Sequence, residues 1–407
     1  MVLGIIAEYN PFHNGHLYHI LKSKEITKDN YCIAVIGGNF SQRGEPSLID
    51  KWIKAEMALA NGVDLVIELP TLYSISSAEN FADGAIKILN SLKIVNHLSF
   101  GSECTELNKL NIISNILYEE PKEYKALLSS ELDKGLSFPK AREKALVAYL
   151  EDPSFFDILS GPNNILAIEY LKALKKQKSN IKPILIPRKE AGHLNSDYTG
   201  QFTSSTAIRN MIRTGNTSNL KDSLTPSSYT ILKEEISNGN FVTGLSKFEK
   251  IFLYNFRLMS LSAIKSIPDV SEGLENTIKK AALSCNNYND FINAISSKRY
   301  TKTRLNRIIL YSLLKITKKD MAVSKKVTPY VRVLGFTDKG KYLIHKINNS
   351  NNNLKIVTSV KRFMNENSNK NLQKIMDKDI LSTNIYTLGV NGKSFANLDY
   401  TKRIITK

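Results

Sequence analysis

Cysteine is scarce in this chain: the 407 residues hold three, Cys32, Cys104 and Cys285, widely separated and without a C-x-x-C pair. That spacing excludes a disulfide framework and a thiolate zinc site, and it suits a reducing compartment, so a cytoplasmic location is expected. Long apolar runs are also lacking. Nowhere do eighteen apolar residues follow one another, and the start "MVLGIIAEY" has no basic region and soon meets Glu8, so neither secretion nor a membrane span is expected. Acidic residues are the third shortage. Asp plus Glu number 38 against 56 Lys plus Arg, a net charge of +18. A field of that sign draws polyanions and makes nucleic acid the natural partner, although Lys-rich codon usage gives the same excess in ordinary enzymes. With 42% hydrophobic residues the chain is long enough to bury more than one core, and its length suggests two or three domains.

Two regimes follow along the chain. From Met1 to about Gly215, short apolar runs bounded by Gly, Asn or Pro alternate with helical patterns, the signature of a doubly wound parallel α/β sheet. Strands are expected at Val2–Glu8, Tyr31–Gly37, Asp64–Leu69, His97–Gly101 and Lys182–Pro187. Helices are expected at Gly15–Thr27, Leu48–Asn61 and Glu79–Lys93. Residues 105–150 carry no strand pattern and read as a helical insertion. After Pro226 the alternation stops, so a first domain over 1–225 and a mainly helical region over 226–407 are expected.

Histidine is rare too, with six in the chain, yet three of them fall in "AEYNPFHNGHLYHI", residues 7–20. This stretch turns from the first strand into the first helix. A helix N-terminus presents unpaired N–H groups and a partial positive charge, so phosphate is the expected ligand. Gly15 allows close approach of a ligand to the backbone, and His13 and His16, three residues apart, can address one anion. A metal site would need a third ligand that the neighbourhood lacks. The ordinary alternative, a capping or core histidine, fits His19 best.

"NPFHNGH" resembles the H-x-G-H signature of the nucleotidyltransferase and class I aminoacyl-tRNA synthetase superfamily, whose partner motif is S-x-T-x-I-R at a downstream helix start. Here "FTSSTAIRNMI" supplies it, with Ser204, Ser205 and Thr206 as cap candidates and Arg209 one turn in. At higher resolution the chain is similar to the tRNA(Met) cytidine acetate ligases. The stretches are "GIIAEYNPFHNGHLYHI", "GNFSQRGEPSLIDKWIKAEMAL" from Gly38, "DLVIELP" from Asp64, "FGSE" from Phe100, "GPNNILAIEYL" from Gly161, "IPRKEAGH" from Ile186 and "SSKRYTKTRLNRIILYSLL" from Ser296. They run in one order to about residue 315; the part after about 330 carries little that can be matched, and its role stays open.

The resemblance implies a nucleotidyltransferase-type fold and a two-step ligase. ATP, with Mg²⁺, and acetate would give acetyl-adenylate, and the acetyl group would pass to the wobble cytidine of elongator tRNA(Met), forming N(4)-acetylcytidine. It also implies an ATP site made of Ile6, Ala7, Glu8, Tyr9, Asn10, Pro11, Phe12, His13, Asn14, Gly15, His16, Leu17, Tyr18 and His19, with Gly101, Asn163 and Arg188. Ser205, Thr206 and Arg209 join it through the second motif, and His13 and His16 would be catalytic.

For tRNA the candidate is the basic stretch around Arg299, Arg304 and Arg307. As a helix it would set Tyr300, Arg304, Arg307 and Tyr311 on one face and Leu305, Ile309 and Leu313 on the other. Basic residues interleaved with aromatics suit phosphate contacts and base stacking, and a solvated charged face is the ordinary alternative. Two other functions remain open from sequence alone: a nucleotidyltransferase acting on a small phosphorylated metabolite, and an RNA-binding relative without turnover.

Overall fold

The computed structural model describes residues 1–188, 198–351 and 353–407. Lys189 to His193, the end of the "IPRKEAGH" stretch, therefore lie outside the described residues. Strand β1 (Val2–Ala7) leads through α1 (Asn14–Thr27) to β2 (Tyr31–Gly37), and α2 (Lys51–Ala60) leads to β3 (Leu65–Leu69). After α3 (Ala78–Ser91) and β4 (His97–Ser102) come the helices Leu107–Glu119, Lys122–Asp133 and Phe138–Leu150 of the expected insertion. Phe155–Ser160 and α4 (Pro162–Lys176) then bring the chain to β5 (Lys182–Pro187) and α5 (Ser205–Thr214).

The strand order β5-β4-β1-β2-β3 is parallel throughout. Its order reverses between β1 and β4, and the crevice outside the carboxyl ends of such a pair is where open α/β sheets take their ligands. Alternation along β1 explains the two covered faces. Leu3 and Ile5 pack with Ile20, Trp52 and Ile208 on one side, while Val2 and Ile6 pack with Ile86, Leu89 and Ile168 on the other. Each such aliphatic side chain, fully buried, contributes roughly 1.5–3 kcal/mol.

The second half builds its own core from helices Glu249–Leu258, Leu274–Ser284, Tyr288–Ile295 and α6 (Lys302–Leu313), around Phe252, Phe256, Phe291, Leu305 and Ile309. The residues after 330, which the sequence left without a role, return to the sheet. Strand β6 (Val331–Phe336) pairs antiparallel with β3, β7 (Ile356–Val357) extends the edge, α7 (Lys370–Tyr386) follows, and β8 (Ile405–Thr406) pairs with β6.

A buried ionic cluster fastens this return. Lys51 Nζ donates to Glu68 at 2.9 Å and to Asp399 at 2.7 Å, while Arg332 Nη1 lies 3.1 Å from Glu68 and 2.6 Å from Asp399. All four residues are buried. Among the described residues no helix is long and apolar enough to cross a membrane.

Helix α6 differs from the expected two-faced pattern. It is buried without a break from Leu305 to Leu313. Tyr311, expected on the RNA-facing side, is 1% exposed and donates from its hydroxyl to the carbonyl of Ile75 at 2.9 Å. The hydrophobic core closes round the helix, and only its N-terminal turn, with Arg304 half-buried, reaches a surface.

Candidate active site

The turn after β1 is organised by two histidines that cap one another. His13 is the N-cap of α1: its Nδ1 accepts from the Gly15 N–H at 3.1 Å, and His16 Nδ1 accepts from the His13 N–H at 3.2 Å. The rings stack at 3.7 Å between centroids, and the Tyr9 and Phe12 rings lie 4.9 and 5.4 Å from that of His16. This geometry fixes the tautomer. A neutral imidazole that accepts at Nδ1 carries its proton on Nε2, so both rings present Nε2–H donors.

Burial, then the charges of Arg188 and Arg209, lower the His13 pKa to about 3. Burial and Arg188 lower that of His19 to about 4. Both are therefore neutral in neutral solution and act as donors, not as cations. As pH falls through 6.5 the unfolded chain takes up these protons first, so both groups oppose stability in acid down to their folded pKa values. His19 has a hybrid place: it lines the cavity, and its Nε2 meets Ser99 Oγ at 2.8 Å, with Ser23 Oγ on the same serine at 2.6 Å.

Gly15 is required by the cap itself. A Cβ there would lie 2.9 Å from His13 Cε1 and 3.1 Å from Nδ1. Gly15→Ala is therefore expected to tilt the His13 ring off its cap, destabilising by about 1 kcal/mol and weakening nucleotide binding; titration calorimetry with ATP checks this. Gly101 is different, because a Cβ there would meet nothing closer than Arg188 Cγ at 3.5 Å. The chain alone does not demand glycine at that position.

The second motif behaves as its sequence suggests. Ser204 caps α5 by accepting from the Ala207 N–H at 3.1 Å, and Ala207, Ile208, Met211 and Ile212 are buried. Arg209 is thereby turned toward the first motif, where Nη1 donates to the Asn10 carbonyl at 3.0 Å and Nη2 to Thr206 Oγ1 at 3.3 Å. Arg188 follows β5, and its buried Nε has no hydrogen-bond partner among the described residues. Burial lowers its pKa. A buried, unpaired guanidinium N–H is costly unless an anion reaches it.

One cavity of about 990 Å³ gathers these groups. Its wall includes Ile6, Ala7, Glu8, Tyr9, Asn10, His13, Gly15, His16, Tyr18 and His19 from the first motif. Gly101, Asn163, Arg188, Ser205, Thr206 and Arg209 join them, as do Arg299, Arg304 and Arg307. Four residues of the first motif stand elsewhere. Phe12 is fully buried in the core and Leu17 packs against it, Pro11 is buried, and Asn14 donates to the carbonyls of Gln201 and Asp222 at 3.1 and 2.8 Å. They shape the turn without lining the cavity.

Asn163 lies in the first turn of α4, and its amide donates to Glu103 Oε1 at 2.5 Å. Glu103 Oε2 also accepts from the Asn164 N–H at 3.0 Å, so a carboxylate already occupies this helix end. The arginines of the basic stretch are engaged as well. Arg304 donates to the Asp269 carbonyl at 2.7 Å and Arg307 to Asp269 Oδ2 at 2.9 Å, while the half-exposed Arg299 pairs with Glu272 at 2.6 Å. Among the described residues no group of three His, Cys, Asp or Glu side chains could hold a metal ion.

Sequence reasoning missed the hairpin at residues 39–47, quoted only as part of the resemblance. It puts Gln42 and Arg43 on the cavity wall. Glu8 Oε1 accepts from the Gln42 N–H at 2.6 Å, and Glu45 stands 3.8 Å from Arg209. Its position just beyond the carboxyl end of β2 was the available signal.

The doubly wound sheet, the histidine-capped turn and the capped S-S-T-x-I-R helix define a nucleotidyltransferase site. Residues 1–400 match the HIGH Nucleotidyl Transferase family model. The chain is 45% identical over 403 residues to the tRNA(Met) cytidine acetate ligase of Caldanaerobacter subterraneus subsp. tengcongensis, covering 99% of both proteins. Against that of Acetivibrio thermocellus it is 41% identical over 413 residues, again 99% of each. Crystal structures of Thermotoga maritima TmcAL, 36% identical and covering 100% of this chain and 99% of that one, match with TM-scores of 0.95 for the apo form and 0.92 for the form bound with alpha-thio ATP. The chain belongs to the tRNA(Met) cytidine acetate ligase family.

Proposed function

We propose that this protein activates acetate with ATP and acetylates the wobble cytidine of elongator tRNA(Met), in the cytoplasm where all three substrates meet. The observation that carries the reading is the meeting of both phosphate motifs and the basic end of α6 on one cavity of about 990 Å³. That volume is at the upper end for a small-ligand site, so it has room for a nucleotide and an acceptor base together. A metabolite nucleotidyltransferase has no need of the arginine-bearing wall, and an inactive relative has no need of two intact phosphate motifs.

In the first step an acetate oxygen attacks the α-phosphorus; the bond to the bridging oxygen breaks and pyrophosphate takes the electron pair. The Nε2–H groups of His13 and His16, the N-terminus of α1 and the guanidinium groups of Arg188 and Arg209 favour the charge that builds on the phosphates. The cytidine N4 then attacks the acetyl carbon, the bond to AMP breaks with its electrons going to AMP, and the departing AMP phosphate takes the proton that N4 gives up. Acetate alone would have to expel oxide; AMP is the better leaving group. Most of the acceleration is positioning and charge stabilisation. Gly101, at the β4 end, leaves room for the nucleoside.

The test is acetate-dependent exchange of labelled pyrophosphate into ATP, followed by transfer of labelled acetate to elongator tRNA(Met). Exchange that ignores acetate would sink the reading. For the RNA, Arg299 is the arginine whose removal disturbs the protein least, since its one ion pair is half-exposed. Arg299→Ala should spare exchange, weaken tRNA binding and reduce the slope of log affinity against log salt by about 1; filter binding across a salt series measures it. An unchanged slope would free Arg299 from any phosphate contact.

A further inference from the structure

We propose that Arg43 is a third catalytic arginine, contacting the β- and γ-phosphates that leave as pyrophosphate during acetate activation. The inference rests on the ATP-dependent reading above. Arg43 is half-buried on the cavity wall and, among the described residues, its guanidinium has neither a hydrogen bond nor an ion pair. Most arginines of this wall are already engaged: Arg209 with Asn10, Arg304 and Arg307 with Asp269, Arg299 with Glu272. Arg43 is near enough to Arg188 and Arg209 that its charge lowers both of their pKa values, behind burial and against the opposing pull of Glu103 on Arg188 and of Glu45 and Glu8 on Arg209. Arg43 thus repels the other two guanidinium groups, and three such groups on one cavity wall, two of them short of partners among the described residues, form a receptor for a polyanion.

The backbone holding Arg43 is fixed on every side. Ser41 and Glu45 close the hairpin with a 2.8 Å hydrogen bond, and the Gly44 N–H returns to the Ser41 carbonyl at 3.0 Å. Glu8, beside the histidine turn, holds the Gln42 N–H, and Gln42 Nε2 donates to the Ser76 carbonyl at 3.2 Å. Gly44, at φ +78°, rests on α6 so closely that a Cβ would be 2.5 Å from the Arg307 nitrogen. From α7, Tyr386 donates to the Ser47 carbonyl at 3.0 Å and Thr383 receives the Asn39 amide at 3.1 Å. The tip is therefore held before ATP arrives, and pre-organisation of this kind makes a charge effective in a transition state. The nucleotide turn and the α6 backbone thus hold the residues on either side of Arg43, Gln42 through Glu8 and Gly44 through α6.

The experiment compares wild type, Arg43→Ala and Arg43→Lys in acetate-dependent pyrophosphate exchange, in acetyl transfer from prepared acetyl-adenylate to tRNA, and in binding of ATP and AMP by calorimetry. Arg43→Ala should lower exchange by about 10²–10³-fold, lower transfer from acetyl-adenylate far less because pyrophosphate has already left, and weaken ATP much more than AMP. Arg43→Lys should restore part of the exchange, since a point charge replaces the fork. Exchange within a few-fold of wild type in Arg43→Ala overturns the proposal. Loss of transfer with exchange intact also overturns it and assigns Arg43 to the RNA. Were wild type to show no acetate-dependent exchange, the acetate reading would fall, while the ATP and AMP affinities would still decide Arg43: equal losses, or none, overturn it.

Discussion

Replacing His16 with Asn is expected to cut acetate-dependent pyrophosphate exchange by about 10²–10³-fold, the usual cost of one pre-organised donor to developing charge. Asn is the informative substitution because it separates the two jobs of the ring. Its Oδ1 occupies roughly the place of Nδ1 and can still accept the His13 N–H, a bond of 3.2 Å in the native chain. The cap, worth about 1 kcal/mol, is then kept. What is lost is the Nε2–H, which the reciprocal capping leaves as the ring's only donor. His16→Gln reverses the choice: its amide nitrogen reaches toward the Nε2 position while the cap is lost. If phosphate stabilisation is the dominant role, Gln should exchange faster than Asn despite lower stability. Exchange close to wild type in His16→Asn would leave the histidine with capping alone. His13, held neutral by burial and by Arg188 and Arg209, should contribute no titration step near pH 6.5 to the exchange profile of the free enzyme.

How much of this could be read from sequence depended on how local the cause was. The strands Tyr31–Gly37 and Lys182–Pro187 fall where expected, because each is a short apolar run closed by Gly or Pro. The histidine turn and the capped α5 were legible for the same reason: cap residue, helix and buried stripe lie within ten residues. Strand β6 was not, although "VRVLGF" is mostly apolar. It carries Arg332 into the interior, and what permits that is Glu68 and Asp399, far away in sequence. Tyr311 misled for a related reason. Its helical position matched the arginines, but a carbonyl of the first half, at Ile75, receives its hydroxyl and draws the ring inside. Arg43 carried no local sign of the role proposed for it, since the hairpin is aimed by Glu8, by the packing of Gly44 on α6 and by Tyr386, and none of these contacts can be read from "NFSQRGEPS" alone. Sequence names the chemistry of a short motif well, whereas the packing that aims a distant loop at it is a property of the whole chain.

The last consequence concerns stability. Lys51→Met should destabilise the protein by about 3–5 kcal/mol, the cost of removing one partner from a buried ion cluster. Lys51 is 0% exposed, and its ammonium lies between Glu68 and Asp399. Without it Arg332 alone would face two buried carboxylates. The sign of the pH effect follows from Asp399. Burial acts to raise its pKa, but the stronger combined pull of Lys51 and Arg332 holds it at about 2. A carboxylate depressed in the folded state adds stability above its unfolded pKa of about 4, and that contribution is lost as pH falls toward 2. Asp379 works the other way: burial and then Glu68 raise it to about 7, so it opposes folding increasingly as pH rises from about 4 to 7. Lys51→Met removes support from Asp399 and from Asp379 together. Urea unfolding of the variant should therefore show its largest deficit at neutral pH, where both carboxylates are asked to ionise, and a smaller one near pH 4. A deficit independent of pH would mean that Lys51 acts by packing, with its charge contributing little. Because Asp399 and β6 lie in the returning segment that also carries α7, the same variant should loosen the support of the 39–47 hairpin and lower exchange before the sheet itself unfolds.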